Sequence, residues 1–594
     1  MQQTWELDSI FSGGSDSTAF RDFLTTLETD LQQFSESVQS WDSKDSNDLL
    51  QLIDEMSHVV LSLREASAYV SCLLAQNTTD QGAKQLQDRL SSIAVKVKNA
   101  NTAFESKIAK VDETMWNTWM DSEAFSEMSF YLNEKREQSS STLPEAEEEL
   151  INALSVDGYQ GWGQMYQVLV QSIRIPVDDN GQEKLLSAGQ AANKMVSADA
   201  HVRNQVFSAW EQAWADKGQL FAETLNHLSG FRLQVYKARG WNDVMYESLQ
   251  RNRMKKETLT AMWSAIAKHK QPFVDYLHRK AKLLGKDKLE WQDVEAPLGE
   301  NDNHIPYAQG GKMIITQFES FGSTLAAFAE TAFANCWIEA EDRDNKRPGG
   351  FCTTFGLSKE SRIFMTYSGT MSNVSTLAHE LGHAFHNYAL RDVHPFRRWY
   401  AMNVAETAST FAEQIVHNAA IKHAKTKEEQ IALLDDKLQR SVAFFMNIHA
   451  RYLFETRFYE VRSQGMVPYK KINDLMVDAQ QEAFAGALAS YHPHFWASKL
   501  HFYMTGVPFY NYPYTFGYLF SLGIYAQAQQ EGKSFEQKYI ALLQDTASMS
   551  VEDLAAKHLG ADITTEAFWE QGISLTLTDV EAFMELTAAE PKHS

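Results

Sequence analysis

Apolar residues recur at three- and four-residue intervals through residues 16 to 41, 46 to 76 and 79 to 120, as in "LTTLETDLQQFSESV" and "LQDRLSSIAVKVKNANTAF". That period puts one greasy stripe along each helix, and a stripe is stable only when another element covers it. The pattern therefore predicts an N-terminal helical bundle. Its first interruption is "QSIRIPVDDNGQEKLLS", where alternating residues flank Asn180-Gly181, the pair preferred in tight hairpin turns. The helical pattern resumes from about 188 to 238 and from 255 to 284, and from Ser372 it runs almost to the end. A second β candidate is "GGFCTTFGLSKESRIFMTYSGT", residues 349 to 370, in which "SRIFMTY" is β-branched and aromatic and could offer a sheet edge to an extended peptide. At 594 residues the chain exceeds one ordinary core. We expect a mainly α protein with a small sheet: an N-terminal helical lobe over 1–187 that ends in a β-hairpin, and a second domain over 188–594.

Charge and cysteine content exclude several classes of partner. Lys plus Arg is 54 against 77 for Asp plus Glu, a formal net charge of -23, which opposes binding to a phosphate backbone and argues against nucleic acid. Cys72, Cys336 and Cys352 are too few and too dispersed for a disulfide framework or a thiolate zinc site. The N-terminus, "MQQTWELDSIFSGGSDST", lacks the basic and apolar segments of a secretory signal, and no run of about 18 apolar residues exists to span a bilayer. The expectation is a cytoplasmic chain with no membrane anchor.

Against this background "TLAHELGHAFHNYAL", residues 376 to 390, places three histidines and a glutamate in an otherwise apolar helix. With Ser372 or Asn373 as cap, His379 and His383 lie four apart on one helical face, where two imidazoles can hold one metal ion. Glu380 points to the side, where its carboxylate can reach a water at an open metal position. His-Glu-x-x-His is the zinc peptidase arrangement. In a chain with 18 histidines the pattern alone is suggestive only. The extended form with a downstream Gly and third His is absent, since those positions hold His386 and Ala389. A third ligand is expected in "NVAETASTFAEQIVHNAA": with Asn403 as N-cap, Glu406 lies in the first turn of a second helix able to pack on the first. An acid there also complements the helix dipole, but beside the upstream motif the ligand role is the stronger reading. Glu413, two turns on, either orients a ligand or is a solvated carboxylate. His386 is expected to be a packed, hydrogen-bonded histidine beside the site.

Hydrolysis also requires donors for the oxyanion of the tetrahedral intermediate. "HFYMTGVPFYNYPYTFGYLF", residues 501 to 520, carries His501 and five tyrosines, Tyr503, Tyr510, Tyr512, Tyr514 and Tyr518, with Gly506 and Pro508 breaking the helix. Such a loop is suited to close over a substrate, although aromatic core filler is the plainer alternative.

Taken together, "GTMSNVSTLAHELGHAFHNYAL", "NVAETASTFAE" and "HFYMTGVPFYNYPY" resemble the oligoendopeptidase F branch of the thimet oligopeptidase-like zinc endopeptidases, with "ARGWNDVM" and "EWQDVEAPL" as weaker matches. The resemblance runs over roughly residues 190 to 580. It implies a two-lobed helical shell around a deep substrate channel, with one zinc ion on the channel floor and cleavage of internal bonds in short peptides. By the same resemblance His379, His383 and Glu406 bind zinc, Glu380 is the general base, and His501, Tyr510 and Tyr514 stabilise substrate and oxyanion. The tyrosines alternate in sequence, so Tyr512 or Tyr518 could take one of those roles. Two other readings remain open from the residues: a helical zinc carboxypeptidase, and a non-catalytic helical scaffold that binds peptides.

Overall fold

The computed structural model describes residues 1–179, 181–299 and 304–588. Three long helices open the chain, α1 (Thr18–Ser40), α2 (Ser46–Gln76) and α3 (Gln81–Ala109). Each begins at a side-chain cap: Ser17, Asp45 and Asp80 accept the backbone N–H groups of Phe20, Asn47 and Ala83, satisfying donors that the first turn leaves free. Their apolar stripes, among them Leu24, Leu27, Leu31 and Phe34 of α1, close on one another as the spacing predicts.

Two apolar cores result. One is built from residues between Trp5 and Leu132, with Phe355, Phe364 and Phe396 joining from far along the chain. The other draws on residues from Tyr166 to Phe583. Packing thus changes over between Leu132 and Tyr166, and Ile175 and Val177 of the hairpin are buried in the larger core. The hairpin itself pairs β1 (Ile175–Asp179) with β2 (Gln182–Leu186) in antiparallel register. Of the Asn180-Gly181 turn, Asn180 lies outside the described residues, while Gly181 has a φ of 82°, in the left-handed region such turns use.

A three-stranded sheet joins the cores. Its strands are β3 (Ile338–Glu339), β4 (Phe351–Phe355) and β5 (Glu360–Phe364), in the order β3-β5-β4. The "SRIFMTY" segment is therefore not an edge: β5 is the middle strand, parallel to β3 and antiparallel to β4. Its Ser361, Arg362, Ile363 and Phe364 are all buried, as hydrogen bonding on both sides requires. The edge is β4, whose Phe351 to Thr354 are half-buried. Behind the sheet lie α4 (Met371–Leu390) and α5 (Thr407–His423), which pack closely on each other, and α6 (Tyr512–Glu531), which is wedged between α5 and α7 (Glu566–Leu586). Among the described residues no helix is long and apolar enough to cross a membrane.

Candidate metal centre

Helix α4 starts two residues earlier than the sequence suggests. Thr370 is the N-cap, and it forms a reciprocal capping box with Asn373: the Asn373 N–H donates to Thr370 Oγ1 at 3.1 Å, and the Thr370 N–H donates to Asn373 Oδ1 at 3.3 Å. The register of the interior is unaffected. The His379 and His383 rings lie one turn apart, 4.8 Å between centroids and nearly perpendicular.

The second segment differs more. The backbone forms a single turn over Met402–Ala405, breaks at Glu406, and restarts as α5 at Thr407. Asn403 is not a cap. It is fully buried, its backbone N–H donating to Asn252 Oδ1 and its Nδ2 to the Asn252 carbonyl oxygen. These bonds pin the turn, and the break aims Glu406 at α4. His379 Nε2 is 3.3 Å and His383 Nε2 3.5 Å from the same atom, Glu406 Oε2. Ser409 Oγ donates to that oxygen at 2.7 Å. One ligand atom from each of the three residues falls within 4.8 Å of the others.

Close backbone approach makes this convergence possible. A Cβ on Gly382 would lie 2.5 Å from the Ala408 carbonyl oxygen and 2.6 Å from Ser409 Cα, so only glycine lets α4 and α5 meet there. From the other side α6 approaches at Gly517, where a Cβ would lie 3.2 Å from Glu406 Cβ. Gly382 is a functional position that sequence reasoning passed over, although its place inside His-Glu-Leu-Gly-His was the available signal.

The electrostatics suit a metal. Burial pushes His383 down to about 4, against the pull of the nearby Glu406 carboxylate. Burial alone would raise Glu406, but hydrogen bonding to His379 and the charges of His383 and His379 hold it at about 2. At neutral pH His383 is therefore an unprotonated imidazole and Glu406 a carboxylate, the states in which these groups ligate a divalent cation. Glu413 Oε2 lies 3.3 Å from His379 Nδ1, which leaves Nε2 to face Glu406, and Glu413 also meets Arg440. His386 is removed from the cluster: it is fully buried, stacked on Tyr400 at 4.2 Å, with Nε2 2.9 Å from Thr546 Oγ1.

Glu380 stands beside the three donors and joins none of them. It is 7% exposed, its Oε2 has no hydrogen-bond partner among the described residues, and burial raises it to about 7. Gly350, at the start of the sheet edge, passes so near that a Cβ there would lie 3.6 Å from Glu380 Oε1. A cavity of about 500 Å³ opens over the cluster, bordered by His379, Glu380, Glu406, Gln414, Tyr514 and Tyr518.

The tyrosines separate into two sets. Tyr512 is buried, its hydroxyl bonded to Ser248 Oγ and Asn252 Nδ2 at 3.0 Å each. Tyr518 borders the cavity, but its hydroxyl is bonded to Ser441 Oγ at 3.0 Å and its ring is stacked on Phe444. Tyr503 is stacked on Tyr166, 4.0 Å between centroids. Tyr510 and Tyr514 are half-buried and form a triangle with His501, with centroid separations of 5.3, 5.5 and 6.1 Å. Burial, then the positive charges of Arg451 and Lys499, lowers His501 to about 4, and its Nδ1 has no hydrogen-bond partner among the described residues.

Comparison with known proteins gives the family of the chain. The family model described as Peptidase family M3 matches residues 194–573, and the model described as Oligopeptidase F matches residues 107–174. An oligoendopeptidase F homolog of Lactococcus lactis subsp. lactis (strain IL1403) is 22% identical, the alignment covering 98% of this chain and 97% of that one. A solved structure from Chlamydophila abortus superposes with a TM-score of 0.86 at 19% identity, over 98% of both chains. Oligoendopeptidase-F from Enterococcus faecium superposes with a TM-score of 0.69 at 19% identity, over 96% of this chain and 99% of that one. With well over half of its length matched by the family model, on a fold that brings two histidines and a glutamate to one point, the chain belongs to peptidase family M3.

Proposed function

We propose that this chain is a zinc-dependent endopeptidase that hydrolyses internal bonds of short, unstructured oligopeptides, with Glu380 as its general base. The observation that carries the reading is the convergence of both imidazole Nε2 atoms on Glu406 Oε2 beside the unpartnered Oε2 of Glu380. Two imidazoles and one carboxylate form a donor set suited to zinc, with a coordination position left open. Bound to His379, His383 and Glu406, a zinc ion supplies Lewis acidity to the attacking water and the peptide carbonyl.

The chain's own groups do the rest. Glu380, near neutrality in its affinity for a proton, accepts one from the attacking water and returns it to the departing amine. Tyr510 and Tyr514, whose rings are not buried, together with His501, donate to the carbonyl oxygen as it gains charge. The β4 edge, running from Gly350 beside Glu380, offers unpaired backbone groups to an extended peptide. A folded protein presents no such free strand, hence the selection for short unstructured peptides.

The test is a parallel time course on a quenched-fluorescent oligopeptide and on a stable globular protein, with product masses and the metal content of the dialysed enzyme. Internal cleavage of the peptide, sparing of the folded protein and one zinc per chain are expected. Release of C-terminal residues only, or comparable rates on the two substrates, overturns the reading.

A further inference from the structure

A second cavity, of about 590 Å³, lies between α2, the β4–β5 hairpin and the C-terminal half of α4. Two elements that flank the metal centre also border it. Strand β4 leads from one to the other, since Gly350 adjoins Glu380 while Thr354 and Phe355 line the cavity. Along α4, Ala384 borders the cavity one residue after His383, and Arg391 borders its far end.

The lining is basic in a chain whose net charge is -23. Arg64, Lys359, Arg391 and Arg398 all face it, against one carboxylate, Glu360, which is paired with Arg362 Nη1 at 2.8 Å. Asp392 answers two of these cations, lying 2.8 Å from Lys359 Nζ and 3.3 Å from Arg391 Nε. Arg64 and Arg398 are left over. Among the described residues Arg398 makes no ion pair and donates to the backbone carbonyl oxygens of Val393 and Gly356. Arg64 makes no ion pair among the described residues; its guanidinium lies over the Trp399 ring, 5.3 Å from the centroid. Trp399 itself carries a buried indole N–H with no acceptor among the described residues. Among the described residues the Arg64 fork and the Trp399 N–H thus lack acceptors and Arg398 lacks an ion pair, an arrangement that favours a bound anion with planar, two-oxygen geometry.

We propose that this cavity is a carboxylate-binding subsite for the peptide substrate, with Arg64 and Arg398 as the recognising groups. The inference rests on the peptidase reading above. The helix bounds the register: eight residues from His383 to Arg391, at the far end of the cavity, span about 12 Å, the length of three to four residues of extended peptide. The carboxylate held here, a C-terminus or an acidic side chain, therefore belongs within three to four residues of the cleaved bond.

The test is kcat/KM of the zinc-loaded enzyme on three otherwise identical peptides, ending in a free carboxylate, in an amide, and in an amide with aspartate as last residue. The free acid is expected to exceed the neutral amide about tenfold when the terminus lies within three to four residues of the cut. Recovery of the rate by the aspartyl amide supports the site and identifies a side chain as an accepted source. Arg64→Gln should bring the acid-to-amide ratio close to one, with Arg64→Lys intermediate because it keeps charge without the planar fork. Equal rates on all three peptides in the wild type overturn the inference while leaving the peptidase reading standing. No cleavage of any member removes both.

Discussion

The sharpest test of how this fold builds its metal centre is Gly382→Ala, a change of one methyl group that touches no ligand. The added Cβ would sit 2.5 Å from the Ala408 carbonyl oxygen, 2.6 Å from Ser409 Cα and 2.9 Å from the Ala408 carbonyl carbon. All three are backbone atoms of the segment that follows Glu406, and none can rotate aside. Ordinary contacts at such atoms begin about 1 Å farther out, so α4 and α5 must separate by nearly that much. Metal–ligand distances tolerate only about 0.2 Å. The separation falls between His379 and His383 on one helix and Glu406 on the other, now 3.3 and 3.5 Å apart at their nearest atoms. We expect stability to fall by about 1–3 kcal/mol, as for overpacking of a tight contact, and zinc affinity by about 10–100-fold. Zinc per chain, measured after dialysis against graded chelator, and calorimetric Tm give the two readouts. Gly189→Ala, where nothing lies within 4 Å of the added Cβ, is the control and should be neutral or stabilising by about 0.5–1 kcal/mol. A Gly382→Ala enzyme that melts earlier yet titrates zinc as the wild type does would show that the helices yield elsewhere, and the argument linking this glycine to the ligands would fail.

Other expectations follow from the same geometry. Glu380→Gln should keep zinc and lose about 100-fold or more in kcat, because an amide cannot accept the water's proton; activity above about a tenth of wild type removes the base assignment. Tyr510→Phe and Tyr514→Phe should each lower kcat by about 100-fold if their hydroxyls meet the oxyanion. Tyr512→Phe should instead cost about 1–3 kcal/mol of stability and spare kcat, since its hydroxyl serves Ser248 and Asn252; the reverse pattern would exchange the roles. His386, held down at about 3 by burial against an ordinary 6.5, takes up a proton on unfolding across that window. Its contribution is complete above about pH 6.5 and is lost as pH falls towards about 3, by up to about 1.4 kcal/mol per pH unit. Chemical denaturation at pH 7 and pH 5 should show a steeper loss in the wild type than in His386→Gln, and equal slopes would contradict the assignment.

What the chain's sequence determined by itself is whatever depends on spacing within one element. Residues four apart on a helix share a face whatever surrounds them, so His379 and His383 were readable as a pair, and the offset of Glu380 with them. Helical periodicity alone likewise announced the bundle of α1, α2 and α3. Only the tertiary structure decided what depends on which elements meet. "SRIFMTY" has the composition of a strand, but composition cannot tell a middle strand from an edge; β3 and β4, on either side of β5, transfer the free edge to Phe351–Phe355. Glu406 was legible as an acid near a helix start, yet its aim comes from a backbone break pinned by Asn252, more than a hundred residues upstream. The five tyrosines are equivalent in sequence. Ser248, Asn252 and Ser441 claim the hydroxyls of Tyr512 and Tyr518, and Tyr503 is buried against Tyr166, which leaves Tyr510 and Tyr514 beside His501. The arginine-lined cavity exists only because α2 of the first core faces α4 of the second. Long-range contacts of this kind leave no period in the sequence, because each partner satisfies only its own local pattern until the fold brings the two together.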